Sequence, residues 1–135
     1  MAKAHRREEI RVDGLMEPIS HYTDAVRIDD LLFVSGAAPV DGSGALVGGS
    51  DVLAQSRQVL TNIGEVLSAA GASFADVAKV TVYLTDIDDR ESVNIARREF
   101  FGDARPASTL IEVSRLAIEG MKVEIDAVAA LPDGS

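Results

Sequence analysis

The chain has 135 residues, 47% of them hydrophobic and 26% charged, a balance that suits one globular domain with its own buried core. Its net charge is −9, and the one basic cluster, residues 5–7, is followed at once by Glu8 and Glu9, which disfavours a nucleic-acid partner. There is no cysteine, so disulfides and thiol nucleophiles are excluded; there is also no long apolar run and no signal-peptide core, so a cytoplasmic protein without membrane contact is expected.

In chain order, residues 1–9 are polar and read as a flexible tail, with a single domain over 10–135. A first short strand is expected in "IRVDGL". "AVRI-DD-LLFVSG" reads as a hairpin turning at Asp29 and Asp30. The glycine-rich stretch 39–50 reads as a flexible connection; it lacks the Lys-Ser/Thr ending of a phosphate loop. From Asp51 to Ala70 the apolar residues Val52, Val59, Ile63, Val66 and Leu67 follow a helical stripe, with Ser50 as expected N-cap and Gly71 just past the end. "KVTVYLT" alternates with strand period. Asp88 and Glu91 have capping-box spacing for a second helix ending near Phe101. "RPASTLIEV" and "MKVEIDAVAAL" close the chain as strands.

Two helices and six strands make an α+β layer pair. Two helices cover about 20 Å of sheet, whereas six strands span about 25–30 Å, so one face can be roofed and the other cannot. Yet "LLFV" and "AVAAL" are apolar on both faces, which predicts that further copies of the chain hide the second face. On this reading Thr109, Ile111 and Val113 face the helices, while Ser108, Leu110 and Glu112 face the partner. In the last strand Val123, Ile125 and Ala127 point inward, leaving Glu124, Asp126 and Val128 on the partner side. Carboxylates there require donors or water, as a ligand cleft would provide.

Together "ISHYTDAVRIDDLLFVSGAAPVD", "LTNIGEVLSAAGASFADVAKVTVYLTDIDDRESVN", "RPASTLIEVSRL" and "VEIDAVA" resemble the Rid (YjgF) family of reactive intermediate deaminases over about residues 10–131. The resemblance implies a chorismate-mutase-like α+β fold, with a six-stranded mixed sheet and two helices on one face. It also implies a homotrimer around a central barrel, with small-metabolite clefts between subunits. The implied activity is cofactor-free hydrolysis of imines and enamines to 2-keto acids and ammonia, with no metal. Of the pocket residues it implies, Tyr22, Gly36 (flanked by Ser35 and Ala37) and Asn94 match as substrate-binding residues. Glu124 matches the glutamate that orients the attacking water.

The departure is Ser108, which stands where such proteins carry the arginine that grips the substrate carboxylate; Thr109 follows, and Leu110 replaces a small residue. A guanidinium holds a carboxylate bidentately and a serine hydroxyl does not, so a substrate other than the typical 2-imino acid is expected. Arg105 is the candidate substitute, although its strand parity is opposite to that of Ser108. The alternatives are a non-catalytic metabolite-binding or regulatory trimer and an endoribonuclease or translation inhibitor, the latter opposed by the charge. Glu112 reads as structural, and His21 as a surface residue that could carry protons only if it reached the cleft.

Overall fold

The computed structural model describes residues 4–132. Six strands form one mixed sheet: β1 (Arg7–Ile10), β2 (Ala25–Ile28), β3 (Leu31–Ala37), β4 (Val77–Leu84), β5 (Ala107–Glu112) and β6 (Val123–Ala130). Their order across the sheet is β1-β2-β3-β6-β4-β5. Only β4 and β5 pair in parallel, and the helix α2 (Arg90–Phe101) makes the crossover between them. The longer helix α1 (Val52–Ala69) lies against β3 and β6, with α2 beside it, on the same side of the sheet. The order of elements read from the sequence is the order observed.

The first strand falls earlier than expected. Ile10 pairs with Ala25, after which Arg11 pulls the chain out of the ladder. Its guanidinium donates to Asp24 (2.6 Å) and to the carbonyls of Val12, Leu15 and Met16. Residues 11–15 therefore form a turn, and Arg7–Glu9, placed in the tail by the sequence, form the edge strand with Ile10. The β2–β3 hairpin turns at Asp29, a non-glycine residue at φ 51°, whose side chain accepts from the Arg6 N–H at 2.9 Å.

Asp51, not Ser50, caps α1, accepting from the N–H groups of Leu53 and Ala54. The far end closes as a Schellman motif: Gly71 adopts φ 79° and donates to Ser68, and Ala72 donates to Leu67 at 2.8 Å. The expected Asp88–Glu91 box does not form. Asp86 instead accepts from Asp88 N–H and opens a single 3-10 turn, and Glu91 pairs with Arg98. The segment expected to be a flexible connection is also ordered locally: Asp41 accepts from Ser43 and Ala45, and Val40 bridges Leu46.

Gln55 is fully buried in α1, where sequence periodicity marks only apolar positions. Its amide donates to the carbonyls of Gly49 and Gly120 and accepts from Lys122 N–H, tying the loop before α1 to the turn that feeds β6. Val80, Val82 and Leu84 of β4, and Val123, Ile125 and Ala127 of β6, fill the core under the helices. The other face is unroofed, leaving Leu31, Phe33 and Ile111 about 40% exposed.

Register corrects one facing assignment. In the β4–β5 pair, Val80 stands beside Ser108, Val82 beside Leu110 and Leu84 beside Glu112. Because Val80, Val82 and Leu84 point at the helices, so do Ser108, Leu110 and Glu112, while Thr109 and Ile111 take the open face. The sequence reading had this strand inverted and β6 correct. Glu112 accepts from Ile87 N–H at 3.0 Å, a structural role as expected.

Candidate functional site

Glu124 stands on the open face of β6, opposite Tyr83 of β4. It borders an open cleft of about 330 Å³, lined also by Met16, Ile19, Tyr22, Gly36 and Ile118. The register shift between Val34 and Ala37 bulges β3 at this point and brings the Gly36 backbone against the carboxylate. A Cβ at Gly36 would lie 2.9 Å from Cδ of Glu124, so a larger residue there would push the carboxyl group aside. Ser35 is fixed by its hydroxyl donating to the Thr23 carbonyl at 2.6 Å. Tyr22 is half-exposed and turns its hydroxyl toward Ile19 N–H. The segment carrying both residues is anchored by Asp24, which takes Arg11 and the Val12 N–H.

The carboxyl of Glu124 is pushed above its ordinary range, first by burial and then by the negative charge of Asp126. Tyr83 donates to Asp126 at 3.0 Å, and this bond, together with burial, holds the phenol proton to higher pH. Among the described residues no donor bonds Glu124, so its oxygens are available to water or ligand. A carboxyl group with a raised pKa is suited to act in turn as general base and general acid.

A second cleft, about 200 Å³, lies between α2 and the chain entering β5; Asn94, Arg97, Phe101, Arg105 and Pro106 line it. The candidates thus divide. Tyr22, Ser35, Gly36 and Glu124 share the first cleft. Ala37 borders an adjoining hollow beneath α1. Asn94 and Arg105 share the second. Ser108, Thr109 and Leu110 lie on β5 outside both clefts, with Thr109 accepting from Lys79 at 3.3 Å. His21 is exposed and also lies outside both. Since β4 separates β5 from β6, the two strands are about 10 Å apart, and Ser108 points to the opposite face from Glu124. Within one protomer, Ser108 and Glu124 cannot hold one small ligand.

Sequence reasoning missed Arg97 and the Tyr83–Asp126 pair. Arg97 was accessible in principle: it lies three residues after Asn94, hence on the same helical face. The Tyr83–Asp126 contact depends on strand register, which local pattern does not supply. No group of three or more His, Cys, Asp or Glu is placed to hold a metal among the described residues, and no helix there is long and apolar enough to cross a membrane.

Comparison with known proteins fits this architecture. The family model described as Endoribonuclease L-PSP matches residues 14–131. A RutC family protein of Pyrococcus horikoshii is 40% identical over 123 residues, covering 91% of this chain and 97% of the relative. The 2-iminobutanoate/2-iminopropanoate deaminase of Capra hircus is 42% identical over 112 residues, 82% of this chain and 80% of that protein. Among solved structures, YyfA of Yersinia pestis, a protein of the conserved Rid family, superposes with a TM-score of 0.87 at 32% identity, covering 93% of this chain and all of the other. The chain belongs to the Endoribonuclease L-PSP family, the family of the Rid/YjgF proteins.

Proposed function

We propose that this protein hydrolyses a small imine or enamine to a carbonyl compound and ammonia, without a cofactor, in clefts completed between the subunits of a homotrimer. The observation that carries the reading is Glu124: a half-buried carboxyl with a raised pKa, free of protein donors, in a cleft beside a glycine backbone. The 42% identity to a 2-iminobutanoate/2-iminopropanoate deaminase supports the reaction class.

In this reading Glu124 takes a proton from water as the water oxygen bonds to the imine carbon, the C=N electron pair moves to nitrogen, and Glu124 hands that proton on to the nitrogen. Proton transfer to nitrogen then makes ammonia the leaving group, the C–N bond breaks, and the hydroxyl proton is released as the carbonyl forms. Tyr22 and the Gly36 backbone would orient the substrate. Asn94 lines the other cleft, and in this reading a subunit seam brings both groups to one ligand.

Ser108 offers no guanidinium at the position the family resemblance assigns to carboxylate binding, so the reading favours a substrate not held there in the manner of a typical 2-imino acid. The test is ammonia release from a panel of charged and uncharged imines generated in solution. The native protein should release ammonia from at least one, and Glu124→Ala should lose that activity at least a hundredfold, on the order of an essential acid–base group. Absence of release across the panel contradicts the proposal.

Ser108 also favours a second reading, a non-catalytic metabolite-binding trimer. Ser108→Arg would then create 2-imino acid hydrolysis in an otherwise inert protein. The endoribonuclease of the family description has less support here, because a net charge of −9 repels a polyanion.

A further inference from the structure

The sheet sets a proton donor directly across from Glu124 and aims it elsewhere. Tyr83 of β4 is the cross-strand partner of Glu124, and partners of this kind have their Cβ atoms about 5 Å apart. Its phenol nevertheless donates to Asp126, at 3.0 Å, passing diagonally to the residue that stands opposite Thr81. Asp126 shares the open face with Glu124, two residues and about 7 Å further along β6. The bond to Asp126, and then burial, hold the phenol proton to higher pH, so Tyr83 is a donor wherever a carboxyl titrates. No other group takes its place at Glu124. The β3 strand carries no charged side chain and offers the Gly36 backbone there. Lys122 precedes Glu124 by two residues and makes no ion pair with it. Lys79 of β4 donates instead to the Val80 carbonyl and to the hydroxyls of Thr81 and Thr109. Across the cleft, the Tyr22 hydroxyl accepts from Ile19 N–H.

We propose that Asp126 and Tyr83 are positioning residues for the hydrolysis: Asp126 captures the phenol proton of the residue facing Glu124 and stands beside Glu124 as a like charge, leaving both Glu124 oxygens open to water. The inference rests on the proposed function and adds the device that keeps its base unbonded. A phenol donating to Glu124 would favour the ionised carboxylate and occupy an oxygen that has to meet water. A negative neighbour acts the other way and disfavours ionisation. Asp126 therefore works twice in one direction, by removing the donor and by supplying the charge. Both effects keep Glu124 able to take a proton from water and to hand it on.

Carbon-13 NMR of the whole protein carrying side-chain carboxyl-labelled glutamate tests the proposal without relying on turnover. The Glu124 signal is assigned by its absence in Glu124→Gln, and its titration midpoint is read in each variant. Asp126→Asn keeps an acceptor for the phenol but removes the charge, and should lower the midpoint by on the order of one pH unit. Asp126→Ala frees the phenol as well and should lower it further; the additional part should vanish when Tyr83→Phe is combined with Asp126→Ala. Tyr83→Phe alone leaves the charge in place, and the midpoint should not fall. The acid limb of ammonia release should follow the midpoint in every variant, with KM little changed. An unmoved midpoint in Asp126→Asn, or a fall in Tyr83→Phe, overturns the inference. Equal midpoints in Asp126→Asn and Asp126→Ala overturn the capture of the donor. Midpoints that move as expected in a protein that releases no ammonia would defeat the proposed function and leave the control of Glu124 by this pair standing. Ammonia release whose acid limb stays fixed in Asp126→Asn would do the reverse.

Discussion

In the proposed reaction Glu124 is the acid–base group, and its environment makes a prediction about stability as well as rate. Burial and Asp126 raise its pKa in the folded protein, so between the ordinary glutamate range and the raised value the native state binds more protons than the unfolded chain. Stability contributed by this group is therefore present at low pH and falls as pH rises through that window. Glu124→Gln removes the titration. Relative to the native protein its melting temperature should gain as pH is raised from 4 to 8, and a flat difference across that range would contradict the burial argument. Catalysis has the opposite sign, because the general base works only when ionised: hydrolysis should rise with pH through the raised pKa. Gly36 is coupled to the same group. Gly36→Ala places a methyl against the carboxylate, so ammonia release should fall at least tenfold while the far-ultraviolet spectrum is preserved.

The elements show what local pattern can and cannot specify. In β6 the alternation of Val123, Ile125 and Ala127 with Glu124, Asp126 and Val128 fixed the faces, because a carboxylate under the helices would have been prohibitively buried. In β5 each face carries one large aliphatic, Leu110 or Ile111, and the strand lies at the sheet edge with most positions exposed. Alternation defines two such faces without saying which meets the helices; that depends on parallel register with β4, set by a crossover of more than twenty residues. The helix starts were missed for a simpler reason. Ser50 and Asp51 are adjacent and both able to cap, and Asp86, Asp88 and Asp89 offer several starts for α2. Tyr22, Gly36 and Glu124, which line one cleft, are singled out as candidates by the family motifs, whereas Gln55 is hidden by its polarity. Gln55→Ala removes the partner of two part-buried carbonyls and one N–H. It should cost on the order of 3 kcal/mol by chemical denaturation, because the orphaned groups lose their bonds without regaining water. A cost below about 1 kcal/mol would mean that water replaces the amide.

For the whole molecule, the decisive feature is the sheet face opposite the helices. Val26, Ile28, Leu31, Phe33 and Val128 occupy neighbouring positions on it, and Phe33 is 42% exposed. A contiguous apolar patch on a protein with net charge −9 is not what keeps a monomer soluble; it is what a homomeric interface covers. Phe33→Glu should shift sedimentation from the proposed trimer toward the protomer and reduce ammonia release with it, since Phe33 lines neither cleft. The proposed trimer would account for the division of the candidate residues between two clefts of one chain. Each protomer would offer the Glu124 cleft to one neighbour and the α2 cleft to the other.

Subunit mixing tests that arrangement most directly. Glu124→Ala and Asn94→Ala each damage one half of the proposed site, and each homotrimer should be nearly inactive. Unfolded together and refolded at equal concentration, they should regain roughly a quarter of native ammonia release, the share of seams that pair an intact Glu124 with an intact Asn94 in random closed rings. No recovery in properly assembled mixtures would contradict a site shared between subunits.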